Sequence, residues 1–445
     1  MVVNLVKIKL PKIRAPPEWG IEPVDPEHRY LKSIDYFVLW TSLGKGLLVF
    51  WAGGLLVPYL DLTTALIAII AGSIIGSLPL AIAGIIGSDN AIPTMVALRP
   101  SFGTRGSYFP SILNIIQLVG WATLEIVVMA TAVDGVVKAV FNYSNLYLWV
   151  IIFAFLCTAM GIAGPLAVIK QWLEKFAVWV LYGSTVWIAY WTLTTRNFWE
   201  LAATTAQGGL PFLLAVDITI AMPMSWMPLI ADYNRFARTS KEGFWGTYLG
   251  YIIANIAGYG VGAILILAMG TADVISAIML IYMGVPAILL ILTYEVDNGW
   301  ADIYSSAVSI QNLLPKLSQR KLIVLIGAVS AVLAMFIPIA EYEWFLLWIG
   351  SVFCPLFGVI FVDYFLVKRR KYDVREIYKT RGAYWFWKGI NVRAIIAWAI
   401  GALIYYCIVY LIPWLGASVP SLTATACLYW ILTKIRRVTF YTKGG

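Results

Sequence analysis

The chain has 445 residues, of which 61% are hydrophobic and only 12% charged, with a mean hydropathy of +0.82. This excludes a soluble globular protein, in which about 25% of residues are charged. The formal charge of +9 does not describe a nucleic-acid binder, because the basic residues sit in short clusters between apolar runs long enough, at about 20 residues, to cross a bilayer as helix.

The first 33 residues are Pro-rich, mixed in charge and free of an apolar h-region, which predicts a cytoplasmic tail and no cleaved signal peptide. Twelve apolar spans follow, at 34–58, 63–87, 107–140, 146–168, 172–194, 211–234, 246–270, 274–312, 321–340, 343–367, 392–413 and 417–435. They predict an all-α polytopic membrane protein; a β-barrel would show alternating segments of about 10 residues. The third and eighth spans are long enough to predict tilt or an interruption.

Apart from Lys45, only Lys138 and Arg196 among the 32 lysines and arginines fall after odd-numbered spans. The others crowd the N-terminal tail, the loops after even-numbered spans and the C-terminal stretch "KIRRVTFYTK". This positive-inside bias predicts a multi-pass protein of the cell membrane with both termini in the cytoplasm. The longest inter-span loop, 368–391, is basic and aromatic; Tyr384, Trp385 and Trp387 suit the inner membrane surface.

Two spans look broken near their middles. The first contains "LGKG" and then "AGG"; the sixth contains "AMPMSW", where Pro223 removes a backbone donor and disfavours helix at Met222. The two lie five spans apart. Interrupted helices at matched positions point to an inverted-repeat secondary transporter, with halves at 34–194 and 211–367, helices 11 and 12 at 392–435, and a cytoplasmic tail at 436–445. Backbone groups freed at mid-membrane are tolerated where they line a site or cavity.

Ionisable residues inside a membrane each need an account. On span 3, Asn114, Gln117, Trp121 and Glu125 recur at spacings of three, four and four, making one inward-facing stripe. On span 6, Ser225 and Trp226 follow the expected break, with Asp217 before it and Asp232 near the end. On span 8, "ILTYEVDNGWADIYSS" puts Asn298 and Asp302 on one face, Glu295 a further turn back on that side, and Asp297 elsewhere. Glu295 reads equally well as a helix–helix seam residue, and Tyr294 and Trp300 as packing. The set suggests a small, polar, planar solute held between aromatic faces and read along its edge by a carboxylate and an amide. Cys157, Cys354, Cys407 and Cys427 are scattered, and His28 is the only histidine, which argues against a metal site.

"ALRPSFGTRGSYFPSILNIIQLVGWATLE", "SWMPLIADYNRFAR" and "VDYFLVKRRKYDVREIYKTRGAYWFWKGIN" resemble signatures of the nucleobase:cation symporter-1 family, whose members are permeases for cytosine, purines, uracil, allantoin, hydantoins and thiamine precursors. The likeness runs from about Trp19 onward, and "SWMPLIADYNR" most resembles the cytosine/purine branch. It implies twelve helices with the leucine-transporter-like five-plus-five inverted repeat, broken helices 1 and 6, and alternating access. It also implies that Trp121 and Trp226 sandwich a flat heterocycle, that Glu125 meets the ring edge where relatives carry glutamine, and that Asp302, or nearby Asn298, completes the site. Gln117, Ser225 and Gly46 are expected around it.

One departure from the family stands out. Where sodium-coupled members hold their ion, this chain has Lys45, and the two span 8 hydroxyl residues become Val296 and Asp297. The resemblance therefore implies a sodium-independent permease, proton-coupled or facilitative, with Lys45, Asp297 and Ser42 at the old ion site and a Lys45–Asp297 pair replacing sodium. The alternatives pair Lys45 with Glu295 or Glu125, or point it into an aqueous cavity. No cofactor is called for, and the expected coupling ion is a proton in preference to sodium. The expected partners are a small nucleobase-like molecule and the lipid bilayer, with no nucleic acid; a monomer suffices.

A carboxylate at the ring edge prefers N–H donors, which favours an amino-bearing nucleobase over uracil. A same-fold transporter of allantoin, hydantoin, a thiamine precursor or a cationic amino acid or amine is the alternative. An intramembrane enzyme is remote, since no nucleophile–base pair and no HExxH is present. Nothing suggests the repeated filter of a channel.

Overall fold

A computed structural model describes residues 17–336 and 342–435. The expected tail segments 1–16 and 436–445, and the 337–341 junction between spans 9 and 10, lie outside the described residues.

Twelve helical segments match the twelve expected spans. The first is a bent pair, Ser33–Leu43 and Leu47–Gly54, meeting at 63°. The next four are Leu62–Asn90, Tyr108–Phe141, Leu146–Ala163 and Pro165–Thr195. Spans 6 to 8 are Phe212–Asn234, Ser240–Met269 and Gly284–Leu313. Spans 9 to 12 are Gln319–Ala334, Phe345–Val367, Val392–Leu411 and Ser418–Lys434. Among the described residues, eight of these are long and apolar enough by themselves to cross a membrane, and the bent pair makes a ninth. Span 8 is long enough but rich in acids, while spans 9 and 12 have 16 and 17 residues.

Of the two long spans, the third is one continuous helix of 34 residues, about 51 Å at 1.5 Å per residue. The eighth is interrupted. A short helix, Val274–Leu280, is separated from the main one by Ile281–Met283, with Met283 in the left-handed region at φ 56°. The fifth span begins earlier than expected, at Pro165, and includes a π-helical stretch, Val168–Ala177.

The expected break in span 6 lies at a different place. Pro223 is inside the helix, which continues to Ser225. The Ser225 hydroxyl donates to Met222 O at 2.7 Å, and Gly76 of span 2 leaves room for the proline ring. The regular helix stops at Trp226, where Met227–Leu229 forms a 3-10 turn with Pro228 in its first turn, before Ile230–Asn234 resumes. A proline's missing N–H is tolerated in a first turn.

Span 1 lies along span 7 on a row of small residues. A Cβ on Gly250 would come 2.6 Å from Phe37 O, and one on Gly258 2.6 Å from Val49 Cγ1. Gly246 and Gly262 face span 1 backbone in the same way. Small residues four apart let helices approach closely in a membrane, where packing replaces the hydrophobic drive.

On the other side, residues 17–32 form a strap across the inter-span loops. Trp19 and Gly20 N–H groups donate to Gln319 Oε1 at 3.0 and 3.2 Å. Gly20 O accepts from Arg235 Nη1 at 2.9 Å, Ile21 O from the Tyr378 hydroxyl at 2.6 Å, and Val24 N–H donates to Ala91 O at 2.9 Å. The strap thus ties the loops after spans 2, 6, 8 and 10.

The 368–391 loop packs on protein more than the sequence suggests. Gly389 O accepts Arg105 and Gly106 N–H groups at 2.9 and 3.0 Å, and the Arg105 guanidinium lies 5.2 Å over the Trp385 ring. Tyr384 is buried, its hydroxyl taking the Asp373 N–H at 2.9 Å, while Trp387 is exposed. The basic motif after span 10 therefore docks on the arginine–glycine motif after span 2.

Candidate functional site

The two breaks and the polar faces of spans 3 and 8 meet at one cavity of about 410 Å³. Gly46 comes from the first break, Trp121 and Glu125 from span 3, Ser225 and Trp226 from the second break, and Asn298 and Asp302 from span 8. Leu43, Leu48, Val49, Met222 and Leu229 supply the apolar remainder. Seven residues singled out in the sequence are thus brought together around one space.

The two indoles are buffered by other rings. Trp226 stands edge-on to Trp40, with centroids 5.9 Å apart at 85°, and Trp121 edge-on to Phe345 at 5.4 Å and 68°. Both are nearly buried yet line the cavity.

The polar lining is rich in acceptors. Glu125 Oε2 and Asn298 Oδ1 have no hydrogen-bond donor among the described residues. Asp302, 3% exposed, lines the same cavity and brings a second carboxyl near Glu125. The Ser225 proton is already spent on Met222 O. A buried acceptor without a donor is costly unless something that enters the cavity supplies one.

Glu295, left open as a seam residue by the sequence, has a particular position. Its Oε1 accepts the Leu47 N–H at 2.8 Å, at the start of the second half of span 1. A Cβ on Gly46 would lie 2.7 Å from that oxygen and 2.9 Å from Asn298 Nδ2. The Glu295 carboxyl is also a neighbour of the Glu125 carboxyl. The spacing of Glu295 from Asn298 was a signal for it; the backbone N–H it caps was not visible.

Gln117 does not line the cavity. Its amide donates to Asn114 Oδ1 at 2.7 Å, and Asn114 donates to Ser309 Oγ at 2.8 Å and Pro228 O at 3.4 Å. This network joins spans 3 and 8 to the second break. Asp217 and Asp232 are also elsewhere: Asp217 caps span 12 through Ala417 and Ser418 N–H groups, and Asp232 takes the Thr94 N–H.

The expected Lys45–Asp297 pair is not formed. Asp297 accepts from Ser42 Oγ at 2.7 Å and from Trp172 Nε1 of span 5 at 2.8 Å, one donor on each oxygen. The bend at Gly44–Gly46 turns Lys45 toward span 7, where its Cγ would lie 3.6 Å from a Cβ on Gly258. Its Nζ sits 5.5 Å over the Phe50 ring and has no hydrogen-bond partner among the described residues, although Glu295 is a charged neighbour. Trp172 was missed by the sequence reading, because no spacing relates it to span 8.

Among the described residues no cluster of three or more His, Cys, Asp and Glu could hold a metal ion.

Residues 23–432 match the profile of a family described as permeases for cytosine/purines, uracil, thiamine and allantoin. A hydantoin permease of Microbacterium maritypicum is 26% identical, over 87% of this chain and 84% of its own. An allantoin permease of Bacillus subtilis is 26% identical, over 94% and 91%. The cytosine permease of Escherichia coli K12 is 26% identical, over 79% and 80%. Among solved structures, MHP1, a nucleobase-cation-symport-1 family transporter in a closed conformation with bromovinylhydantoin bound, superposes with a TM-score of 0.83 at 21% identity, covering 94% of this chain and 95% of that one. A Na+-coupled sialic acid symporter gives 0.63 at 12% identity, covering 92% and 91%. The fold is accordingly the twelve-helix inverted repeat with broken helices 1 and 6.

Proposed function

The chain belongs to the family of permeases for cytosine/purines, uracil, thiamine and allantoin, a family of membrane transporters and not enzymes, and on that premise we propose that it carries a planar, N–H-bearing heterocycle across the cell membrane by alternating access. The observation that carries the reading is the acceptor-rich cavity between two indoles. Trp121 and Trp226 offer faces for a flat ring. Glu125 Oε2 and Asn298 Oδ1 lack donors among the described residues, and Asp302 adds a carboxyl beside them; a ring edge carrying N–H groups supplies the missing donors.

Cytosine, adenine and guanine each present an exocyclic amine beside a ring nitrogen, and guanine adds ring N–H groups. Uracil has no exocyclic amine, and the carbonyls beside its ring N–H groups would face carboxylates. Hydrogen-bond mismatches of that kind discriminate strongly. The ureide reading keeps a specific support: relatives named for hydantoin and allantoin are as similar as the cytosine permease, and ureides also present N–H pairs.

Transport is sodium-independent in this proposal. Ser42, Asp297 and Trp172 satisfy one another where sodium-coupled relatives bind their ion, and Lys45 adds a positive charge nearby. Both termini face the cytoplasm, in keeping with the basic loops that the strap ties together.

The test is a panel of cytosine, adenine, guanine, uracil, hypoxanthine, allantoin and hydantoin, measured for binding and for counterflow in proteoliposomes with sodium or choline. Amino-bearing bases should bind best and choline should support them equally. Preference for uracil, or strict sodium dependence, would sink the corresponding half of the proposal.

A further inference from the structure

The heterocycle cavity shares a wall with a second arrangement that binding alone does not use. Glu125 lines the cavity, and behind it lies Glu295, whose other side caps the first break through Leu47 N–H. The two carboxyls are neighbours: Gly46 lines the cavity together with Glu125, and a Cβ on Gly46 would lie 2.7 Å from Glu295 Oε1. Neither has a side-chain donor: Glu125 Oε2 and Glu295 Oε2 are both without a hydrogen-bond partner among the described residues. Two bare carboxylates at that range repel, and the contact is attractive only with a proton held between them.

We infer that the Glu125–Glu295 carboxyl pair is the proton-binding site through which transport is driven. The inference rests on the heterocycle reading of the cavity. Its physical content is a linkage between three things. The shared proton holds Glu125 in place, with an oxygen free to accept from the substrate edge. The same proton lets Glu295 stay docked on Leu47 at the start of the half-helix. Loss of the proton separates the carboxyls, so the substrate edge loses its acceptor and the first break loses its cap together. Substrate and proton therefore favour each other's binding, as thermodynamic reciprocity requires, and a proton taken up on one side of the membrane is released on the other.

The charged and titratable groups around the pair fit this role. Lys45 faces Glu295 from the first break, without an ion-pair partner of its own among the described residues. Asp302, Asp297 and Tyr294 face the pair from span 8 itself, and Cys157 faces Glu125 from span 4. Asp297 already has its two donors and Asp302 opens to the cavity, so neither competes for this proton.

The experiment measures binding of tritiated cytosine, adenine and guanine, each in turn, to the full-length purified protein from acid to alkaline pH. One linked proton makes wild-type affinity fall about tenfold per pH unit on the alkaline limb. In Glu295→Gln the amide oxygen still accepts from Leu47 and the amide N–H takes the place of the shared proton. That variant should bind with a flat pH profile, keep counterflow, and lose accumulation driven by a pH gradient. Glu125→Gln should likewise lose the pH dependence. A Glu295→Gln protein that still accumulates substrate on a pH gradient overturns the inference, as does a flat wild-type profile. Infrared difference spectroscopy needs no probe: a buried carboxylic C=O band that Glu295→Gln lacks should disappear on alkalinisation of wild type. Its absence overturns the proton site even where a base binds. Its presence with no binding of any of the three bases counts against the amino-bearing nucleobase reading alone.

Discussion

Glu295 accepts the backbone N–H of Leu47 at 2.8 Å, so a carboxyl from the eighth span caps the half-helix that follows the break in the first. The geometry explains why residue 46 is glycine. Its backbone is extended, at φ −175°, which any residue adopts; it is the space beside it that is taken, by Glu295 and Asn298.

Gly46→Ala should therefore lower uptake while leaving a folded protein. The new methyl would stand 2.7 Å from Glu295 Oε1 and 2.9 Å from Asn298 Nδ2, forcing apart the cap and the cavity wall. Uptake assays on protein that passes size-exclusion chromatography check this; wild-type transport would refute it.

Replacing Glu295 by alanine should cost stability where glutamine does not. Alanine leaves the Leu47 N–H buried without an acceptor, a loss of about 1–3 kcal/mol, and the thermal midpoint should fall. Scanning fluorimetry of Glu295→Ala beside Glu295→Gln reads the difference.

Lys45 gives the opposite expectation. An ammonium at the centre of a membrane helix costs about 2.5–3.5 kcal/mol on insertion scales, and this one has no hydrogen-bonding partner among the described residues. Lys45→Met keeps the apolar stem against span 7 and removes the charge. Its thermal midpoint should rise, and a fall would show that the ammonium contributes net stability where it lies.

Trp121→Ala and Trp226→Ala should each weaken binding of the preferred base by about 1–3 kcal/mol, the range for removing one aromatic stacking face from a base. Trp226→Phe should recover part of the loss, because a smaller ring still presents a face. Equilibrium binding of tritiated base measures all three; unchanged affinity in both alanine variants would remove the sandwich.

Asp302→Asn should shift the substrate profile toward rings with carbonyl edges. The amide adds a donor where the wild type offers only acceptors, so uracil or hypoxanthine should gain on cytosine by about tenfold. An unmoved profile would exclude Asp302 from edge reading.

Much of this arrangement is legible in the chain. Apolar runs and basic loops gave twelve spans, and the Asn298–Asp302 and Trp121–Glu125 spacings put those pairs on cavity-facing stripes. What periodicity cannot supply is the neighbour across a gap. Helical spacing placed Asp297 off the stripe correctly, but not against Trp172, which belongs to another helix. Gln117 shares the stripe with Trp121 yet lies a turn below the cavity, bonded to Asn114. The Lys45 pairing failed because a 63° bend redirects its side chain, and a bend angle leaves no mark on residue order. Pro223 signalled the second break three residues early, since a helix can absorb one proline when a glycine opposite makes room for it.

The glycine row of span 7 has a mechanical meaning. At Gly246, Gly250 and Gly262 backbone meets backbone and the contact has little relief, while at Gly258 the Val49 side chain reaches into the row. Such a surface resists separation through its many close contacts but opposes sliding and rocking only weakly. Span 1 carries both the N–H that Glu295 caps and one wall of the cavity, and it rests on this low-relief track. Under the proposed alternating access, a span 1 that tilts with its cargo is held by a bearing, and the friction of its motion is set largely by residues that contribute no side chain at all.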